Sequence, residues 1–253
     1  MLIKKILVYI CPLLTIIGLE LLINYLSLIY FLIVIIFIFL IIVLKYLIPE
    51  RFLSRDFWYL AILPLLLFLT TTGFLLLLSS NSVRNLIIFI FALFLWIYLE
   101  NIFLFFYQPT LYQPNSQENI SVLFCLLIFF LLAIDLNSFN VFLNIPIWIL
   151  TLILVLITTI LVLQIFWSNK IKNNLKFLYL IIFDIVILEV FWVLAFLPTN
   201  FYVVSIIITI IFYLLWGIFK AQLTDKFNQK LVRRYLIISG ILLFFIIITS
   251  NWI

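Results

Sequence analysis

The chain has 253 residues, of which 69% are hydrophobic and 9% charged, with a net charge of +5. Soluble domains carry roughly 45–50% apolar and about 25% charged residues. A chain of mean hydropathy +1.46 therefore cannot be a soluble globule, and its solvent must be lipid. A helix needs about 20 residues to cross a bilayer, so nine such helices would take about 180 residues and leave about 70 for ends and loops.

What is missing narrows the chemistry. There is no histidine, which excludes a His-ligated haem, an H-E-x-x-H zinc site and a Ser-His relay. Cys11 and Cys125 both lie inside apolar runs and form no C-x-x-C pair, so they read as small buried hydrophobes. No glycine-rich phosphate loop occurs, and the chain has only 4 glycines. The expectation is no metal centre and no cofactor. The basic residues sit between apolar runs, where membrane topology accounts for them. The expected partners are the lipid bilayer and other membrane proteins, not nucleic acid.

Nine apolar runs follow in order. The first covers residues 6–23, preceded by Lys4 and Lys5. Its basic start and apolar stretch mimic a signal peptide, but no small-residue cleavage site follows, and the expectation is an uncleaved helix kinked at Pro12. The second run, 28–48, is almost entirely Ile, Leu and Phe. The third, 57–78, contains Pro64 and opens with Trp58 and Tyr59 at an interface. The fourth is 86–106. The fifth, 120–134, is the shortest, about 22 Å as a helix against a hydrocarbon core of about 30 Å. The sixth is 145–167, the seventh 177–197, the eighth 201–219 and the ninth 235–252. No connection is long enough for a soluble domain, so residues 1–253 read as a single integral membrane domain.

Charge bias sets the orientation. With nine spans and the N-terminus inside, the inner segments carry Lys4 and Lys5; Lys45, Arg51 and Arg55; Lys170, Lys172 and Lys176; and Lys220, Lys226, Lys230, Arg233 and Arg234. Arg84 alone falls outside. If the fifth run did not span, the basic residues before and after it would lie on opposite sides and the bias would vanish. The fifth run must therefore span, with local thinning or extension through Asp135 and Leu136 to make up its length. The fold class predicted is an all-α polytopic transmembrane bundle of about nine spans, N-terminus inside and C-terminus outside.

Acids inside the spans are the candidate functional residues, because an intramembrane charge costs roughly 2.5–3.5 kcal/mol at the bilayer centre. Glu20 and Asn24, four apart on one face of the first helix, are expected to share a local hydrogen bond. Glu100 and Asn101 lie on the fourth helix, Asp184 and Glu189 on the seventh. Asp184 is about two turns from Lys176, and the bland alternative is that it simply reaches the inner interface. Glu100 and Glu189 lie deeper, with no basic residue within a turn on their own helices. Both are expected to point into the bundle, and the alternative to a functional role is a buried acid bonded to Asn101, Gln164 or a backbone carbonyl. Asp184 and Glu189 are five residues, or about 140°, apart around the helix, so they do not form a paired-carboxylate site on one face.

The connector 107–119 reads YQPTLYQPNSQEN. Its prolines favour extended backbone before them, and Asn115 followed by Glu118 fits a capping box for the fifth helix. Two tyrosines suit a membrane-hugging connector. Glycines are isolated with no G-x-x-x-G, which argues against close crossings of that type. Pro12 and Pro64 have no counterparts later in the chain and no internal repeat is present, which lowers the expectation of a transporter.

At YLENIFLFFYQPTLYQPNSQENIS (98–121), at LEVFWVLAFLPTNFYV (188–203) and at VRRYL (232–236), the chain resembles an uncharacterised polytopic inner-membrane protein family of candidate-phylum (Patescibacteria) bacteria. The resemblance runs from about residue 57 onward. It implies a multi-pass fold in the bacterial inner membrane and supplies no catalytic residues.

Three function classes remain, in this order. The first is a non-enzymatic scaffold or assembly component of the envelope, which accounts for the absence of soluble domains and motifs. The second is a small-solute or ion carrier using Glu100 and Glu189, which would need both acids on one water-accessible cavity. The third is an enzyme acting on a lipid-linked substrate, which would want basic residues or a metal beside the acids.

Overall fold

The computed structural model describes residues 2–171, 175–197, 199–223 and 228–250. Of the residues used above, Lys172, Pro198, Lys226 and Trp252 lie outside the described residues. Among the described residues the chain is all-helical, with nine helices long and apolar enough to cross a membrane. They are α1 (Leu2–Asn24), α2 (Ile29–Leu47), α3 (Arg55–Leu77), α4 (Asn81–Tyr107), α5 (Ser116–Leu143), α6 (Ile147–Ser168), α7 (Lys176–Ala195), α8 (Phe201–Leu223) and α9 (Gln229–Thr249). A single 3-10 turn, Leu26–Leu28, joins α1 to α2. The protein is a multi-pass membrane protein.

Local chemistry sets the helix ends. Ser54 caps α3, its hydroxyl accepting from the Phe57 N–H, and Asp56 follows in the first turn, where the helix dipole favours an acid. Asn228 caps α9 by accepting from the Lys230 N–H. Helix α9 thus begins before its apolar run, and Lys230, Arg233 and Arg234 are exposed on its first turns. Helix α6 stops at a left-handed Lys170 (φ 53°). There the Ile171 N–H reaches the Phe166 carbonyl at 3.0 Å, satisfying a terminal acceptor in the manner of a Schellman turn.

The fifth helix departs most from its apolar run. At 28 residues α5 is the longest of the described helices, about 42 Å, and no bilayer thinning is needed. The stretch after residue 134 is polar, yet it stays helical because its side chains bond to backbone carbonyls nearby. Asn137 Nδ2 donates to the Ala133 carbonyl at 2.7 Å and Ser138 Oγ to the Asp135 carbonyl at 2.8 Å. Asn140 Nδ2 reaches the Ile145 carbonyl at 3.2 Å across the turn that ends the helix. In that turn Asn144 takes a left-handed φ of 51°, a conformation asparagine tolerates better than most residues.

The chain divides into two compact units, Met1–Phe124 and Cys125–Ile253. In the first, α1 packs on α2 and α4, and α3 packs on α2 and α4. Its core includes the fully buried Phe57, Phe68, Leu19, Leu44 and Tyr98. The Tyr98 hydroxyl donates to the Leu60 carbonyl at 2.6 Å, so the largest polar-tipped side chain of this core is bonded, as a buried hydroxyl must be. Helix α1 continues through Pro12, and the Thr15 hydroxyl donates to the Pro12 carbonyl at 2.8 Å.

In the second unit α6, α7, α8 and α9 pack consecutively, each on the next. Aromatic rings fill its centre. Phe212 of α8 stacks on Phe129 of α5 with centroids 4.3 Å apart and meets Phe183 of α7 edge-on at 5.0 Å. Between lipid-bathed helices such packing replaces the hydrophobic effect as the cohesive term. Cys11 and Cys125 are both free and buried.

Candidate functional site

Glu100 and Asn101 are neighbours on α4, about 100° apart around the helix, and they do different things. Asn101 is buried and spans to the start of α5: its Nδ2 donates to Gln117 Oε1, and its Oδ1 accepts from the Ser116 hydroxyl at 2.7 Å. Its amide is therefore committed to the helix junction and makes no bond to Glu100. Glu100 is half-buried and accepts no hydrogen bond from the described residues. It lines a cavity of about 260 Å³ with Lys5, Val8, Tyr9, Phe103, Leu104, Gln108 and Leu111.

The connector beside it is held at both ends. The Tyr107 hydroxyl accepts from Lys4 Nζ at 2.5 Å and donates to the Leu47 carbonyl at 2.9 Å. The Tyr112 hydroxyl accepts from the Gln117 N–H at 2.9 Å. The capping box expected at Asn115 and Glu118 does not form. Asn115 has a left-handed φ of 64°, whereas a capping residue sits in the β region, and only its backbone carbonyl enters the helix, accepting from Asn119 at 3.1 Å.

The acids of α7 part company. Asp184 is buried, and its Oδ2 accepts from the Thr159 hydroxyl of α6 at 2.7 Å. That hydroxyl also lies 2.8 Å from the Val155 carbonyl, so one proton is shared between two acceptors. Asp184 Oδ1 is buried with no partner. Glu189 corrects the sequence reading. It is exposed rather than turned into the bundle, and no described residue bonds its carboxyl. The five-residue step explains this, because the face of α7 that packs on its neighbours carries Leu180, Phe183, Asp184, Ile187 and Phe191. Trp192, one turn on, bonds Thr151 of α6 through Nε1 at 2.9 Å, which leaves that threonine unavailable to Glu189.

Two further expectations fail. Gln164 is fully buried but is no partner for an acid: neither end of its amide bonds to a described residue. Glu20 and Asn24 are both exposed and share no hydrogen bond, because at the end of α1 both side chains point outward.

Asp135 was missed. It is buried on α5, with Oδ1 unpartnered. Two residues on, Asn137 Nδ2 reaches Ser205 of α8 at 3.3 Å. The signal was present in the length arithmetic: a span counted from Ile120 needs about 20 residues and so must run past Asp135. Among the described residues no group of three or more His, Cys, Asp or Glu side chains is placed to hold a metal ion.

The chain matches no protein-family model, and neither a curated protein nor a solved structure shows detectable similarity to it.

Proposed function

We propose that the protein is a non-enzymatic assembly component of the bacterial inner membrane, docking another membrane protein on the outer face of α7. The observation that carries this is Glu189. It stands 13 residues from Lys176 and six from Ala195, about 20 Å and 9 Å from the helix ends, and is therefore within the hydrocarbon. A polar group there must find a partner, and no described residue bonds it. The surrounding face, with Ile181, Ile182, Ile185 and Val193, is exposed and apolar. The matching partner is a transmembrane helix with an apolar face and one hydrogen-bond donor, an Asn, Gln, Lys or Arg side chain. The outward position of Glu189 also takes it out of any interior pathway of the second unit, which disfavours a carrier built on Glu100 and Glu189.

A photoreactive residue at Ile185 should crosslink a membrane protein in intact cells, and the same probe at the exposed Val34 on α2 should not. Glu189→Leu should remove the crosslink while leaving the protein's abundance unchanged. A crosslink that survives Glu189→Leu, or adducts to lipid alone, would sink the proposal.

The orientation proposed is N-terminus in the cytoplasm and C-terminus outside. It rests on the charge bias, with Arg84 the only basic residue assigned to the outer side. Reporter fusions at Asn115 and after Ile253 test it. The first should report cytoplasm and the second the outer side; cytoplasmic signal from both would overturn it.

A further inference from the structure

The crevice between α1 and α4 is polar at one end and apolar along the rest, and we propose that it is a binding site for one phospholipid with a zwitterionic, primary-amine headgroup. The polar end is the 260 Å³ cavity lined by Lys5, Glu100 and Gln108. A second cavity of about 230 Å³ continues along the same two helices, lined by Tyr9, Pro12, Leu13 and Ile16 of α1 and by Phe89, Ala92, Leu93 and Trp96 of α4. Tyr9 lines both, with its ring 6.1 Å from that of Trp96. The two cavities are thus successive stretches of one groove in the first unit.

Its dimensions suit a lipid. The apolar stretch, from Tyr9 to Ile16 and from Trp96 to Phe89, is seven residues each way, about 10 Å of helix. One leaflet is half of a core of about 30 Å, so the groove follows the upper two thirds of an acyl chain. The polar end lies toward the headgroups: Lys5 is three residues from the start of α1, and Glu100 is seven from the end of α4, whose 27 residues, about 40 Å, outrun a core of about 30 Å. The apolar end is open to a chain, for Leu13 and Phe89 are exposed while Ala92 is buried and forms a shallow floor.

The charges select the headgroup. Lys4 is engaged with Tyr107, but Lys5 bonds to no described residue. Lys5 and Glu100 share the cavity, yet no ion pair joins them. They present a separated cation and anion, the pattern that complements a phosphate joined to an ammonium group. A primary ammonium has three donors to give, and the two carboxylate oxygens of Glu100 and the amide oxygen of Gln108 are the acceptors on the cavity wall. A trimethylated ammonium has none, and a glycerol headgroup carries no cation to offset Glu100.

The test is native mass spectrometry of the full-length protein exchanged into micelles with equimolar phosphatidylethanolamine, phosphatidylcholine and phosphatidylglycerol. One phosphatidylethanolamine should be retained, about 10-fold over either competitor, as a charge-assisted hydrogen bond allows. Glu100→Gln should reduce that retention to the phosphatidylcholine level. Lys5→Gln should weaken all three lipids. Leu13→Trp, at an exposed position of the apolar half, should weaken all three without altering the preference. Equal retention of the three, a preference for phosphatidylglycerol, or a preference unchanged by Glu100→Gln would overturn the proposal.

Discussion

Gly217→Leu is expected to loosen α9 from α8, at a cost of about 1–3 kcal/mol, the range for side chains forced into filled space. A Cβ at Gly217 would stand 2.5 Å from both Cδ1 and Cε1 of Tyr235 and 2.7 Å from its Cγ, well inside van der Waals contact. Tyr235 is half-buried, with its ring 5.3 Å from that of Tyr213, one turn before Gly217 on α8. The tyrosine of α9 therefore lies over a seat made by the missing side chain. The helix buries only one residue, Ser239, a turn beyond Tyr235 on the same face. The readout is protease release of the C-terminal helix and thermal unfolding in detergent. Tyr235→Ala should rescue Gly217→Leu, because removing the ring makes room, a coupling that a double-mutant cycle isolates. Gly240→Leu serves as control, since a Cβ there meets nothing within 4 Å. Equal stability of Gly217→Leu and the natural chain, or no rescue by Tyr235→Ala, would refute the seat.

This contact was invisible in the sequence. An isolated glycine in an apolar run shows no partner, and only G-x-x-x-G spacing announces a close crossing. The spans themselves were legible, because hydrophobic length and the positive-inside count are properties of the chain alone. The charge count also required the fifth run to cross even though its apolar part was short. From the sequence, the fifth span takes in Asp135 and Leu136 only to make up its length, and Asp135 is not weighed as an acid inside a span. Helix α5 runs on past them, with Asn137 and Ser138 bonded to carbonyls within the helix, and Asp135 is buried. The candidate site was legible only in part. The depth of an acid depends on where its helix ends: α7 stops at Ala195, so Asp184, eight residues from the nearer end, is further in than Glu189, six from it, the reverse of the expected order. Which way an acid faces depends on which neighbours the helix packs against. Hence Asp184 turned inward, Glu189 outward, and Glu100 into a crevice whose other wall comes from α1.

The opposite facings of Asp184 and Glu189 lead to the second large effect. In an insertion assay on α7 alone, Asp184→Leu and Glu189→Leu should each favour the inserted form by about 3 kcal/mol, roughly 100-fold, because each exchanges an intramembrane acid for an apolar residue. An isolated helix gives neither acid a neighbour, so the two substitutions act alike. In the folded protein they separate. Asp184→Leu loses the bond from Thr159, and side-chain bonds between membrane helices are worth about 0.6–1.7 kcal/mol. Unfolding from the inserted state should therefore become easier by about 1 kcal/mol. Thr159 is not orphaned, since the Val155 carbonyl still accepts its proton, and the loss goes no further. Glu189→Leu removes nothing the folded chain uses, so its stability should stay within about 0.5 kcal/mol of the natural protein. Its effect should appear only where a partner helix is present. Loss of stability by Glu189→Leu in the purified protein would show that the carboxyl is bonded within the chain, and the docking face on α7 would lose its warrant. Unchanged stability of Asp184→Leu would mean that the Thr159 bond contributes nothing to holding α6 against α7.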